Sequence, residues 1–248
     1  WWSEDDYVVC CVVGFFFKQK TAYERLRSLV GLGDVYKRQR RARAAGIVSI
    51  VDGAHVPGHV PLDLAQLECD VYTGALHKWA CAPKGCSFLY AHPTAQAWLE
   101  PLVVSWGWES DHPSESQFVD YHEWQGTRDL SPFLAVSAAL DFCNTHDWAG
   151  VQAEGHRLAL LTRSRINALT GLEPISPDST EWIGQLASIR LPDHVDAVAL
   201  KERLFREHRI EVPLPVWNGQ NFVRVSFAAH NTEGDSDALV AALAELLS

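Results

Sequence analysis

Between Arg40 and Ala91, apolar residues fall in short continuous runs bounded by polar clusters. Runs of this kind predict strands buried on both faces of a parallel sheet, and the stretches between them have helical spacing. "RRARAAG" predicts the end of a helix stopped at Gly46, since glycine readily takes the left-handed conformation that closes helices. "IVSIVDGAH" predicts a buried strand ending in polar residues, "PLDLAQLECD" a short helix, and "VYTGAL" a second strand leading to His77-Lys78. "CSFLYA" predicts a third strand after the Pro83–Gly85 turn. Strand alternating with helix implies a parallel sheet.

After a polar loop from Glu109 to Ser116, "LSPFLAVSAALDFCNTHD" and "AGVQAEGHRLALLTRSRINAL" predict two helices, with apolar residues at three- and four-residue steps. The Ile175–Ser179 stretch, with Pro177 inside it and Pro174 just before, reads as a linker into a smaller unit. That unit is predicted to hold a strand over Ala187–Leu191, a helix over Asp196–Arg209, strands over Ile210–Val216 and Phe222–Ala228, and a last helix over Asp235–Leu247. The chain shows no internal repeat.

Composition narrows the function classes. The 248 residues are 47% hydrophobic, enough for one large or two modest domains. Acidic residues outnumber basic ones by 31 to 21, a net charge of −10. That balance argues against a nucleic-acid partner, which needs a basic face to displace counterions. No apolar run approaches the roughly 18 residues of a membrane span, so no membrane association is expected. The 6 cysteines have no framework spacing and read as reduced thiols of a cytoplasmic protein.

Residues 1–39 differ from the rest. "YVVCCVVGFFF" follows acidic Ser3-Glu4-Asp5-Asp6, where a signal peptide needs positive charge, and no small-residue cleavage site comes after it. "VGLGDVYKRQ" places Tyr36 where a dinucleotide loop needs its third glycine. "FFFKQKTAYERLRSLVGLGDVYKRQ" resembles translated sequencing adapter, and the sequence contains 0 methionines. Residues 1–39 are therefore expected to be an artefactual or disordered front end, and they stay outside the fold expectation. An ordinary helix around Thr21 to Val30 is the alternative.

Candidate chemistry gathers at the strand ends. Asp52, with His55 soon after, ends the first strand, and His77-Lys78 follow the second. In an open parallel sheet, ligands bind outside the carboxyl ends of the strands, so these side chains are expected to share a pocket. A carboxylate beside a desolvated lysine suits Schiff-base chemistry with an aldehyde cofactor. Burial would supply the neutral amine, and the carboxylate would keep a pyridine nitrogen protonated. A strand-end Asp capping a turn, with a Lys reaching solvent, is the structural alternative.

"VDGAHVPGHVPLDLAQLECDVYTGALHKWACAPKGCSFLYA", "WQGTRDLSPFLAVSAALDF" and "VRVSFAAHNTEGD" together resemble the class V aminotransferase family, notably its isopenicillin-N epimerase-like branch. The resemblance covers roughly residues 40–248. It implies an α/β, aspartate-aminotransferase-like fold of pyridoxal-phosphate fold type I. Residues 40–148 would form the C-terminal part of the large domain, with an incomplete parallel sheet. Residues 149–248 would form a connecting helix and a small α+β domain. It further implies pyridoxal 5'-phosphate as cofactor, with Lys78 as its Schiff-base anchor and Asp52 against the pyridinium nitrogen. His55 would lie near the phenolic oxygen and His77 near the phosphate. Thr127 would reach the phosphate of a partner subunit's cofactor, making a homodimer, and Arg224 would clamp the carboxylate of an amino-acid-like substrate.

Departures qualify what the resemblance implies. Ala75 stands where relatives usually have Asn or Ser, and His230 replaces the tyrosine of "YNT". Nothing in residues 1–39 resembles the family's phosphate loop or ring-stacking residue. The chain therefore reads as the C-terminal part of an enzyme, and a catalytically incompetent fragment that takes up cofactor poorly is the alternative to an active one. "IEVPLPVWNGQNFVR" contains no cysteine, which disfavours cysteine desulfurase activity and leaves epimerase, lyase and aminotransferase chemistry open.

The remaining motifs have simpler structural explanations. Pro57-Gly58 forbids the helix that would align His55 and His59 on a metal, so no metal site is expected. Cys81 reads as inert packing, and "VSWGWES" as aromatic packing of a loop. Arg128-Asp129 is left open between an interface or substrate pair and a local salt bridge.

Overall fold

A computed structural model describes residues 7–11 and 39–247. These fall into two compact units, residues 7–11 with 39–142, and residues 143–247. Apart from Gln39, the adapter-like stretch lies outside the described residues, as does the alternative helix near Thr21 to Val30.

In the first unit, residues 39–44 are helical and the chain turns at Gly46, whose φ is +68°. The sheet has the order β1-β2-β3-β4, with β1 (Tyr7–Cys11), β2 (Val48–Asp52), β3 (Val71–Ala75) and β4 (Ser87–Ala91). β1, β2 and β3 run parallel. β1 is a departure from expectation: the apolar "YVVCC", set aside with residues 1–39, forms the strand beside β2.

β4 corrects the expected all-parallel order, because it pairs with β3 antiparallel. The connection over residues 76–86 contains turns and no helix. A parallel return needs about a dozen residues or more and usually a crossover helix, so a short connection folds straight back. Between β2 and β3, Asp63 caps the one-turn α1 (Leu64–Leu67), accepting from the Ala65 and Gln66 N–H groups. Val51, Val56, Leu67, Cys69 and Tyr72 form the core beneath.

After α2 (Pro93–Gln96), the polar loop ends at Ser116. Its hydroxyl caps α3 (Gln117–Glu123) by accepting from the Val119 N–H. Sequence reading left this helix out, although the Ser cap with Asp120 in the first turn signals it. The helix predicted from "LSPFLAV" onward is interrupted at Ala135, giving α4 (Ser131–Leu134) and α5 (Val136–Thr145).

The second unit packs a three-stranded sheet, order β5-β7-β6, against the long α6 (Trp148–Thr170). Gly171, at φ +68°, ends α6. The central β7 (Gln220–Ser226) pairs antiparallel with both β5 (Leu186–Arg190) and the two-residue β6 (Val216–Trp217). Asn218 and Gly219, at φ 50° and 74°, make the tight β6–β7 turn, an Asn-Gly hairpin signal that sequence reading overlooked. α7 (Ala197–His208) and α8 (Glu233–Leu246) complete the layer, and Leu158, Ile166, Ile189, Leu204, Val223 and Leu243 fill the core.

Most of the strand expected over Ile210–Val216 is absent. Pro213 and Pro215 still accept from the Arg224 and Phe222 N–H groups, at 3.0 Å each. Lacking N–H groups themselves, they cannot return those bonds, and only Val216–Trp217 completes a ladder.

Ile175–Ser179, expected as a linker into a smaller unit, lies inside the second unit, since both flanks belong to it. Arg163, on α6 and 2% exposed, reaches this stretch. It donates to the Ser176 hydroxyl at 3.0 Å and to the Ser176 carbonyl, and it pairs with Asp178 at 3.3 Å. Burial lowers its pKa, opposed by the nearby Asp178 charge.

Candidate active site

The carboxyl ends of β2 and β3 bring four of the six candidate residues onto adjacent loops. Asp52, the last residue of β2, is half-buried, and its Oδ1 accepts from the Ala54 N–H at 3.0 Å. This confirms the turn contact while leaving the strand-end placement intact. Gly53 donates to the Thr73 carbonyl at 2.8 Å. Tyr72 fills the space beside Gly53, where an added Cβ would lie 1.8 Å from the Tyr72 hydroxyl.

His55 follows in the loop, and its Nδ1 lies 3.2 Å from the Trp79 indole Nε1–H. His77, just past β3, places Nδ1 2.9 Å from the Cys86 carbonyl oxygen. A carbonyl only accepts, so Nδ1 of His77 carries a proton. Lys78 comes next, its carbonyl accepting from the Cys81 N–H at 3.3 Å.

The Lys78 side chain is exposed, which corrects the expectation of a desolvated amine. Charge-poor neighbours do not bury it, because the adjacent Trp79 turns inward instead. The Trp79 ring stacks on His59 with centroids 4.3 Å apart and planes 20° apart. Gly58, at φ +79°, allows this approach: a Cβ there would lie 2.5 Å from the Trp79 carbonyl carbon and oxygen and from the Ala80 nitrogen. Sequence reading gave Trp79 no role, took Gly58 only as a helix breaker and considered His59 only as a metal ligand. The signal was Gly58 beside a His and opposite a Trp. His59 Nδ1 lies 3.0 Å from the His55 carbonyl oxygen, and burial lowers the ring's pKa.

Thr127 is exposed in the loop after α3, preceded by Gly126 at φ +96°. Arg224, in the middle of β7, belongs to the second unit; its Nε is buried without a hydrogen-bond partner. Arg128 and Asp129 do not pair. Arg128 donates to Gln125 and lies 4.7 Å over the Phe133 ring, while Asp129 accepts from the Ser131 N–H and hydroxyl. Trp108 packs on Tyr121, whereas Trp106 is 88% exposed. Cys81 is exposed, so it is not the buried thiol expected, although burial of the sulfur raises its pKa.

A mixed sheet whose strand ends lead to a carboxylate, imidazoles and a primary amine points to a cofactor-dependent α/β enzyme class. The family model described as "Aminotransferase class-V" matches residues 29–239, and the chain belongs to that family. The match begins before Arg40, where the family-like part was expected to start.

Among curated relatives, isopenicillin N epimerase of Amycolatopsis lactamdurans is 38% identical over 214 residues, covering 83% of this chain and 54% of the relative. The protein of the same name from Streptomyces clavuligerus is 34% identical over 212 residues, covering 82% and 53%. The chain thus spans about half the length of these relatives. The apo structure of a cysteine desulfurase from Thermococcus onnurineus NA1 superposes with a TM-score of 0.72 at 17% identity, covering 91% of this chain and 62% of that one. The fold is pyridoxal-phosphate fold type I, and the family depends on pyridoxal phosphate.

The donor set suits that cofactor. Within the first unit, Lys78 offers an exposed primary amine and Asp52 a half-buried carboxylate, groups that can bond an aldehyde and a protonated ring nitrogen.

Proposed function

We propose that the protein is a pyridoxal-phosphate-dependent enzyme that acts at the Cα–H bond of an amino acid or amine-bearing substrate, with Lys78 as the cofactor's anchor. The observation supporting this reading is that Asp52 ends β2 while Lys78 lies in the connection that follows the carboxyl end of β3, the parallel neighbour of β2. When bound, the cofactor supplies an electron sink for the pair released at Cα.

The chain's own residues hold and orient. With the cofactor bound, Asp52 would keep the ring nitrogen protonated, His55 would donate to the phenolic oxygen, and His77 would help hold the phosphate. Thr127 serves the partner subunit's site in a homodimer, and Arg224 grips the substrate carboxylate through its planar fork. The exposed run Leu102, Val103, Val104 and Trp106 supports a homodimer, because a contiguous apolar surface favours a partner.

Lyase and aminotransferase chemistry share these parts and differ in where the proton and the leaving group go. Epimerisation is favoured by the names of the two relatives at 38% and 34% identity. It returns the proton to Cα and needs no co-substrate.

The test is borohydride reduction of the cofactor-loaded protein, followed by peptide mapping. Cofactor fixed to Lys78 is the expected result, and an adduct on Lys84 or Lys201 would overturn it. Uptake of solvent deuterium at Cα with inversion, and no release of a 2-oxo acid, identifies epimerisation. A second reading, retention of the site without turnover, draws on the exposure of Lys78. Cofactor fixed at Lys78 with no exchange at Cα would establish it.

A further inference from the structure

We infer that Trp79 is a positioning residue that fixes the His55 ring with its proton on Nε2, and so sets the hydrogen bond His55 offers the cofactor. The inference rests on the placement of His55 at the cofactor proposed above.

The indole nitrogen can only donate, because its lone pair belongs to the aromatic system. With Trp79 Nε1 3.2 Å from His55 Nδ1, that ring nitrogen is the acceptor. A neutral imidazole has one proton, which is then held by Nε2, leaving Nε2 a donor. An oxygen that gains negative charge on the cofactor is met by a donor rather than by a lone pair.

His77 has the opposite arrangement. Its Nδ1 faces the Cys86 carbonyl at 2.9 Å and holds the proton, so in the neutral ring Nε2 accepts. Two imidazoles on neighbouring strand ends therefore present opposite polarity through the same ring atom. The difference comes from the residue behind each ring.

The seat of Trp79 is built by the loop it orients. His59 stacks on one face of the indole at 4.3 Å, and the Gly58 backbone lies against the Trp79 backbone. His59 in turn bonds the His55 carbonyl through Nδ1 at 3.0 Å. Trp79 is also the residue after Lys78, so one side chain ties the anchor's loop to the loop of the cofactor's donor. Outer residues that fix a histidine tautomer commonly tune the site in this way.

Long-range proton–nitrogen NMR on cofactor-free protein, above the titration range of its histidines, tests the assignment without relying on catalysis. His55 is expected as the Nε2–H tautomer and His77 as the Nδ1–H tautomer. Trp79→Phe keeps a ring for His59 and removes the N–H, and it should average the His55 nitrogens while leaving His77 unchanged. His55 found as Nδ1–H in the wild type would overturn the inference even if the variant failed to fold. So would an unchanged His55 in a folded variant.

With pyridoxal phosphate bound, Trp79→Phe should shift the pH midpoint of the visible absorbance band while borohydride still labels Lys78. An unmoved midpoint alongside an altered tautomer would overturn the link to the cofactor. Failure of labelling in the wild type would instead sink the reading of Lys78 and leave the tautomer standing.

Discussion

Asp52 stands in register with Thr73 across the parallel β2–β3 pair, which places the carboxylate level with the strand that carries the chain on to Lys78. Strand pairing therefore holds Asp52, whereas Lys78 lies in the connection that begins where β3 ends. Asp52→Asn keeps size and shape and removes the charge. It is expected to lower turnover by about 10²–10³ or more, with cofactor still fixed at Lys78 by borohydride. Near-normal turnover would reduce the carboxylate to its turn contact with Ala54.

Gly58 has two reasons to be glycine, a φ of +79° and an added Cβ 2.5 Å from the backbone at Trp79 and Ala80. The neighbouring atoms are backbone and cannot rotate away. Gly58→Ala is expected to cost about 1–3 kcal/mol, read as a lower urea midpoint, and to reduce borohydride labelling of Lys78. An unchanged midpoint would show that the two loops separate freely.

His59 links stability to pH. Burial lowers its folded pKa below the ordinary value of about 6.5. Between those two values the unfolded chain binds more protons, so stability is full above about pH 6.5 and falls as the pH drops toward the folded value. In His59→Phe, which keeps an aromatic ring on Trp79, the loss of urea midpoint between about pH 7.5 and 5.5 should be smaller than in the wild type. An equal loss would assign the effect to other groups.

"HNTEGD", part of the resemblance, has a structural duty as well. The Asp235 carboxylate accepts from the Thr232 N–H at 2.7 Å, forming a capping box on α8, and Asn231 Oδ1 accepts from the Ala228 N–H at 2.9 Å. The Thr232 contact holds the Asp235 pKa low. Its stabilising effect is therefore present above the ordinary carboxylate pKa and is lost as the pH falls through the lower folded value. Asp235→Ala is expected to destabilise by about 0.5–2 kcal/mol at neutral pH. Thermal melts that show the same penalty at strongly acid pH would contradict this origin.

The strands flanking Asp52 and Lys78 were legible because each is an apolar run ended by turn residues, and α6 because its apolar residues repeat at helical steps over 23 residues. The direction of β4 was not legible, since direction depends on what the 76–86 connection can span. Lys78's exposure was hidden for a related reason. Composition shows that the stretch is apolar, but not that Trp79 turns inward while Lys78 turns out. The tautomers of His55 and His77 depend on partners distant in sequence, which no local pattern records.

The buried Arg163 changes how the chain can be engineered. Surface connections usually accept added residues at little cost, because their ends stay close whatever lies between. The stretch around Ser176 is an exception, because a guanidinium with side-chain exposure of only 3% depends on its carbonyl, hydroxyl and carboxylate together. Lengthening it would strand a cation in an apolar interior, and a tag or a new terminus placed there would act like a cut through the core.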